Sequence, residues 1–221
     1  MKNNIGNKRE CCQFIKKGLI KVNDEIIVDC FYPVKEDDQV YFGERKLNAS
    51  PLVYFMFNKP SGYISANKDK NPCVLDFFEQ KDLSILGRLD KDTTGLMLLT
   101  NDKSLVKKIT LPKNHLPKKY YVELKNKIND TYIESFKKGV IIDKDVLCRS
   151  AIFENIDEYL CYLTIVEGKY HQVKKMFLSL GNEVLSLKRV KIGEIELDRN
   201  LKEGEYRKLT KEELFSIKKN V

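Results

Sequence analysis

The stretch Gly87-Arg88-Leu89-Asp90-Lys91-Asp92-Thr93-Thr94-Gly95-Leu96 lies between two apolar runs, Leu83 to Leu86 and Leu96 to Leu99. It packs one Arg, two Asp and two Thr into a loop bounded by glycines. The run that follows, Leu96 to Thr100, reads as a short buried strand. A polar loop anchored to a rigid strand is a good place for a catalytic carboxylate. The same acids and threonines could equally serve only to satisfy local backbone.

Working outward, Val53 to Asn58 reads as a strand, broken by Lys59-Pro60-Ser61-Gly62 and resumed at Tyr63 to Ser65. Asn101-Asp102 starts a helix running to about Ile109. Lys119 to Leu124 is a strand, Asp130 to Lys138 a helix closed by Gly139, and Ala151–Glu154 with Leu160–Val166 a strand pair. His171 to Leu180 is the clearest helix: Val173, Met176, Phe177 and Leu180 fall at i, i+3, i+4 and i+7. Val184 to Ile192 is a strand and Lys211 to Lys219 a terminal helix. Strands interspersed with isolated helices predict an α+β fold with a mixed or antiparallel sheet.

Residues 1–43 read as a small separate unit. A helix over Asn7 to Lys17 is closed by Gly18, and strands follow at Leu19–Val22, Glu25–Val28 and Val40–Phe42, with a turn at Asn23-Asp24. The polar stretch 44–51 reads as a linker, and 52–221 as the larger domain. The 221 residues suit a large domain plus a small one.

Composition is that of a globular chain, 42% hydrophobic and 33% charged, with a net charge of +8. No apolar run approaches a membrane span, and Met1 to Glu10 lacks the apolar core of a signal peptide, so a cytoplasmic protein with no membrane partner is expected. The six cysteines are then expected to be reduced, and two histidines make a metal centre improbable. From Asn101 to Asp130 eight lysines face three acids, interleaved with Tyr120 and Tyr121. Such a basic, aromatic surface suits RNA, or is simply a solvated lysine-rich face.

Four ordered motifs carry a resemblance. Gly87-Arg88-Leu89-Asp90 with Asp92-Thr93 and Gly95-Leu96 resembles the active-site signature of the pseudouridine synthases, specifically the bacterial RsuA/RluB/RluE/RluF group that modifies one ribosomal RNA uridine. Asn58-Lys59-Pro60-Ser61-Gly62-Tyr63, Lys118-Lys119-Tyr120-Tyr121-Val122, and Glu167-Gly168-Lys169-Tyr170-His171-Gln172-Val173-Lys174-Lys175-Met176 are similar to three further motifs of that group, over residues 52 to about 210. The last is most like the small-subunit (16S) type. Residues 6–23 resemble the second helix and next strand of an S4-type RNA-binding domain. The chain starts too late to hold in full the helix that usually precedes them, so either a truncated domain or a true start further upstream is expected. Asn101-Asp102-Lys103 stands where relatives often carry Asn-Asp-Gly.

The resemblance implies a pseudouridine synthase fold and isomerisation of a uridine in 16S rRNA, by a monomer and without cofactor or metal. Asp90 is implied as the catalytic carboxylate, Tyr120 as the ring that stacks on a flipped uracil, and Lys174 as the cation beside Asp90, where relatives often carry Arg. Arg88 is implied to fill the space a flipped nucleotide leaves, or else to contact phosphate or brace its loop. Lys59, Lys118, Lys119, Gln172, Lys175, Lys8 and Arg9 are expected RNA contacts, with Lys103 to Lys127 lining the RNA path. His171 is expected to be structural and His115 an exposed loop residue. The alternatives are an enzyme of 23S rRNA, a non-catalytic ribosome assembly factor, and a carboxylate hydrolase using Asp92 as second acid.

Overall fold

The computed structural model describes residues 3, 5–35, 37–47, 52–67, 69–80, 82–110 and 116–219. The chain divides into two units, one ending at Leu52 and one beginning at Val53. His115 and Lys113 lie outside the described residues.

In the first unit, helix α1 (Lys8–Lys16) begins where Asn7 accepts from the backbone N–H of Arg9 and Glu10, and Glu10 accepts in return from Asn7 N–H at 2.7 Å. Such a capping box contributes about 1 kcal/mol. Gly18, at φ +71°, ends it. Strands β1 (Ile20–Val22), β2 (Glu25–Ile27), β3 (Val40–Phe42) and β4 (Arg45–Leu47) follow, ordered β2-β1-β3-β4 and antiparallel throughout. β4 corrects the expected linker. Its Arg45-Lys46 pair is exposed on an edge strand, so the segment shows no apolar alternation. Cys12 and Cys30 are joined in a disulfide with Cα atoms 5.6 Å apart, which corrects the expectation of six reduced thiols. Proximity between a helix and a loop 18 residues later is created by packing, not by spacing.

The second unit is built on a sheet ordered β11-β12-β8-β13-β7-β5-β15. Its elements in chain order are β5 (Tyr54–Lys59), β6 (Ser84–Leu86), β7 (Thr94–Thr100), α2 (Lys103–Thr110), β8 (Lys118–Leu124), α3 (Tyr132–Lys138), β9 (Ile141–Ile142), β10 (Val146–Leu147), β11 (Ile152–Asn155), β12 (Leu160–Ile165), α4 (Gln172–Ser179), β13 (Val184–Ile192), β14 (Ile195–Glu196), β15 (Tyr206–Lys208) and α5 (Lys211–Lys219). β6 pairs with β7, and β14 with β13. The β13–β7 pairing is parallel and the other ladders are antiparallel, so the sheet is mixed, as expected. Tyr63 to Ser65 does not resume a strand; it makes one bridge, Ile64 to Cys73. The unexpected strands β6, β9, β10, β14 and β15 run two or three residues, too short to display a period of two.

Strand alternation divides the core between two faces. Phe57, Met97 and Leu99 point to one, where Tyr132 and Phe136 of α3 and Val173, Met176 and Phe177 of α4 pack. Met56, Leu96 and Leu98 point to the other, beneath Leu105 of α2 and Ile217 of α5. β7 is thus covered on both sides, which is why it reads as an unbroken apolar run. Among the described residues, no helix is long and apolar enough to cross a membrane.

Gly95 marks the closest approach of β7 and β13. At φ +99°, a Cβ there would stand 2.3 Å from the carbonyl oxygen of Arg189. Gly95→Ala is therefore expected to destabilise the larger unit by about 3 kcal/mol or more, read from urea denaturation. A loss within about 0.5 kcal/mol, the range of an ordinary surface change, would contradict this contact.

Candidate active site

The loop 87–93 is held from beneath by two buried cations. Lys59, at the end of β5, is fully buried; its Nζ donates to the carbonyl oxygens of Pro60, Lys91 and Thr93 at 3.0, 3.0 and 2.8 Å. Arg189, on β13 and 1% exposed, donates through Nε to Leu96 O at 2.7 Å and through its terminal nitrogens to Arg88 O and Gly87 O at 3.3 and 3.2 Å. A buried ion costs several kcal/mol unless its donors are satisfied, and carbonyl oxygens satisfy these. Ser65 Oγ both donates to Leu89 O (2.6 Å) and accepts from Leu89 N (3.0 Å). Burial pushes the Lys59 ammonium down to about 8, with Asp92 and Asp90 opposing the shift.

The facing wall comes from β8 and the start of α4. Tyr120 is buried in the β8 ladder, opposite Leu163 of β12 and Arg189 of β13. Ahead of α4 the chain makes a tight turn. Gln172 Oε1 accepts from Lys169 N at 2.9 Å and its Nε2 donates to Glu167 at 2.8 Å, while Lys169 Nζ is paired with Glu167. His171, the N-cap residue, is in the left-handed region at φ 53°, its ring stacked on Tyr170 at 3.8 Å.

The carboxylate of Asp90 stands at this helix start, its side chain 27% exposed. His171 Nε2 is 3.6 Å from Oδ1, and Lys174 Nζ is 3.9 Å from Oδ2. Lys174 makes its shorter bonds elsewhere, to both oxygens of Asp92 at 2.6 and 2.7 Å. Burial raises the Asp92 carboxyl, but the Lys174 bond and charge outweigh it and hold the group below its usual range. Asp92 is thereby engaged by Lys174. A cleft of about 410 Å³ opens here, lined by Arg88, Asp90, Tyr120 and Gln172 among others.

The structure therefore brings Asp90, Tyr120, Arg88 and Gln172 into one cleft with Lys174 at its edge. Several residues expected to contact RNA have partners within the protein. Lys59 is sealed inside and braces the loop. Gln172 spends its amide on the Glu167–Lys169 turn. Lys118 is partly buried and donates to Leu116 O at 2.9 Å. Lys175 is occupied by Asp143 at 2.5 Å and by the Tyr170 ring at 5.1 Å. Lys119 points to the opposite side of the sheet from Tyr120, paired with Glu154 at 2.7 Å. Lys125 and Lys127 are ion-paired with Glu183 and Glu158. Lys8 and Arg9 are exposed in the first turn of α1, in the other unit.

Arg189, Ser65 and the position of His171 went unnoticed in the sequence. A lone arginine amid the alternation of Leu187, Arg189 and Lys191 was the available signal for the first; nothing local marked Ser65. His171 faces the Asp90 carboxylate at 3.6 Å.

Lys59→Met is expected to cost about 2–4 kcal/mol by orphaning three carbonyls. Because the folded-state pKa of Lys59 lies near 8, below its ordinary 10.5, the unfolded chain holds that proton more tightly between those values. The stability of the natural protein relative to Lys59→Met should therefore rise as pH increases from about 8 towards 10.5. Paired urea melts across that range check it; a flat or falling difference would contradict the burial of the charge.

The geometry has close counterparts. Residues 53–179 match the family RNA pseudouridylate synthase. Ribosomal small subunit pseudouridine synthase A of Haemophilus influenzae is 39% identical, the match covering 98% of this chain and 96% of the relative. The protein of that name from Escherichia coli K12 is 41% identical over 92% of this chain and 90% of the relative. A crystal structure of a pseudouridylate synthase superposes with a TM-score of 0.74 at 38% identity, covering 97% of this chain and 95% of the other. The chain belongs to the RNA pseudouridylate synthase family.

Proposed function

We propose that this protein isomerises one uridine of 16S ribosomal RNA to pseudouridine, with Asp90 as the reacting carboxylate. The observation that carries this is the convergence of Asp90, Tyr120 and the first turn of α4 on one cleft. The 16S assignment is supported by relatives named as small-subunit enzymes along almost the whole chain. A monomer working in the cytoplasm, where rRNA is made, fits this role.

The reaction breaks the bond from C1′ to N1 of uracil and forms one from C1′ to C5. The C5 proton is lost and N1 gains one, so atoms and electrons balance with no redox partner. Asp90 either attacks C1′ or removes the C2′ proton; a partly exposed carboxylate at the cleft mouth serves both. Tyr120 offers its ring to a uracil turned out of the RNA, since flipped bases are held by stacking. Lys174, oriented by its two bonds to Asp92, presents its charge to Asp90 at 3.9 Å. Arg88, exposed at the rim, is placed to occupy the gap left by the flipped nucleotide. Lys8 and Arg9 supply phosphate contacts from the smaller unit.

The test incubates the protein with unmodified 16S and 23S rRNA and maps pseudouridine chemically. One converted uridine in 16S rRNA is expected. Asp90→Asn should lower the rate by at least about 10³-fold while RNA binding stays within a few-fold, as for removal of a reacting group. Conversion confined to 23S rRNA would overturn the substrate assignment, and activity surviving in Asp90→Asn would overturn the role of that carboxylate. Asp92→Asn should lower activity less, about 10-fold, by releasing Lys174 from its orientation. An unchanged rate would sever that link.

A further inference from the structure

Strand alternation puts a second row of side chains on the sheet face opposite Tyr120. Tyr121 of β8 stands opposite Tyr162 of β12 and Lys188 of β13 in the ladder, the two tyrosine rings meeting edge to face at 5.7 Å. Lys119 lies over the Tyr162 ring at 4.3 Å. The register shift between Arg189 and Lys191 lets Lys191 pair with Lys119, so Lys188 and Lys191 both reach this face although three residues apart. Helices α2 and α5 cover other parts of the same face and leave an open cleft of about 530 Å³ here.

The charges in this cleft do not cancel. Glu196 is taken by Lys191 at 3.0 Å and Asp198 by Arg207 at 2.7 Å. Among the described residues, Lys188 and Arg199 form no ion pair. The floor includes Asn58, 3% exposed, whose Nδ2 donates to Leu201 O at 2.8 Å while its Oδ1 has no protein donor. Two aromatic faces, two uncommitted cations and an unfilled acceptor complement a nucleotide: a base against the rings, phosphate on the cations, and a base N–H for the acceptor.

We propose that this cleft is a second RNA site, holding a single-stranded nucleotide of the substrate RNA on the sheet face away from the catalytic cleft. The proposal rests on the pseudouridine synthase assignment for its ligand. It adds a contact that chooses an RNA by what flanks the modified base.

The test uses the full chain and a single-stranded octanucleotide carrying 4-thiouridine, with photocrosslinks mapped by mass spectrometry. Two separate sets are expected, one beside Tyr120 and one at Tyr121 or Tyr162. The double variant K188E/R199E, with an unchanged circular dichroism spectrum, should lose the second set and keep the first. Losing two phosphate contacts should also flatten the slope of log affinity against log salt by about 1.4. Tyr162→Leu should reduce the second set without changing that slope, separating stacking from charge. Crosslinks beside Tyr120 alone would sink the second site and leave the catalytic assignment standing; none in either place would sink both. A slope that flattens with no crosslink at Tyr121 or Tyr162 would reduce the cleft to a diffuse positive surface and overturn the proposal. If free uridine 5′-monophosphate displaces the second set as well as the octanucleotide does, nucleotide for nucleotide, the ligand is a free nucleotide and the RNA assignment falls.

Discussion

Two cations held by carbonyl oxygens set the shape of the loop that carries Asp90. Lys59 and Arg189 are both buried, and neither forms an ion pair among the described residues; between them they grip six backbone acceptors along and beside residues 87–93. Burying a charge is expensive, and the offsetting bonds exist only while the loop keeps its native path. The loop is thus coupled to strands β5 and β13 rather than left to its own turn propensities. Gly95 completes the arrangement, because β13 can come near enough for Arg189 to reach the loop only where β7 carries no side chain.

The carboxylates respond differently to this frame. Asp92, with Lys174 on both oxygens, is held ionised. Asp90 has His171 and Lys174 at 3.6 and 3.9 Å, near enough to feel charge but not tied by a short bond to either. A carboxylate at these distances can reorient without first breaking a tight ion pair. The left-handed backbone at His171, uncommon outside glycine, turns the ring toward Asp90 and starts α4 one residue later than hydrophobic periodicity suggests.

Much of the fold was legible. The apolar spacing of Val173, Met176, Phe177 and Leu180 marked α4, and the unbroken run after Gly95 marked the doubly covered β7. Asp90 and Tyr120 stood out because motif order, not local pattern, singled them out. What the letters did not show shares one cause. Lys59, Lys118 and Lys119 look equivalent as letters, yet one is sealed beneath the loop, one is partly buried and one faces away. Strand alternation and burial decide this, and both need the register. The two-residue strands carried too little pattern to be seen, and the Cys12–Cys30 pairing depends on how α1 packs.

From its residues alone this chain determined an α+β fold with a mixed sheet, the order of its main elements, and the loop that carries the candidate carboxylate. Those properties are local: they follow from periodicity, glycines and short motifs, each contained within about ten residues. Tertiary structure decided which charges meet. It paired Lys174 chiefly with Asp92, threaded Arg189 under a loop a hundred positions away, and sent Tyr120 and Tyr121 to opposite sides of the sheet beside different partners. Electrostatic contacts fall off over a few ångströms and take no account of distance along the chain, so only the folded register can assign them.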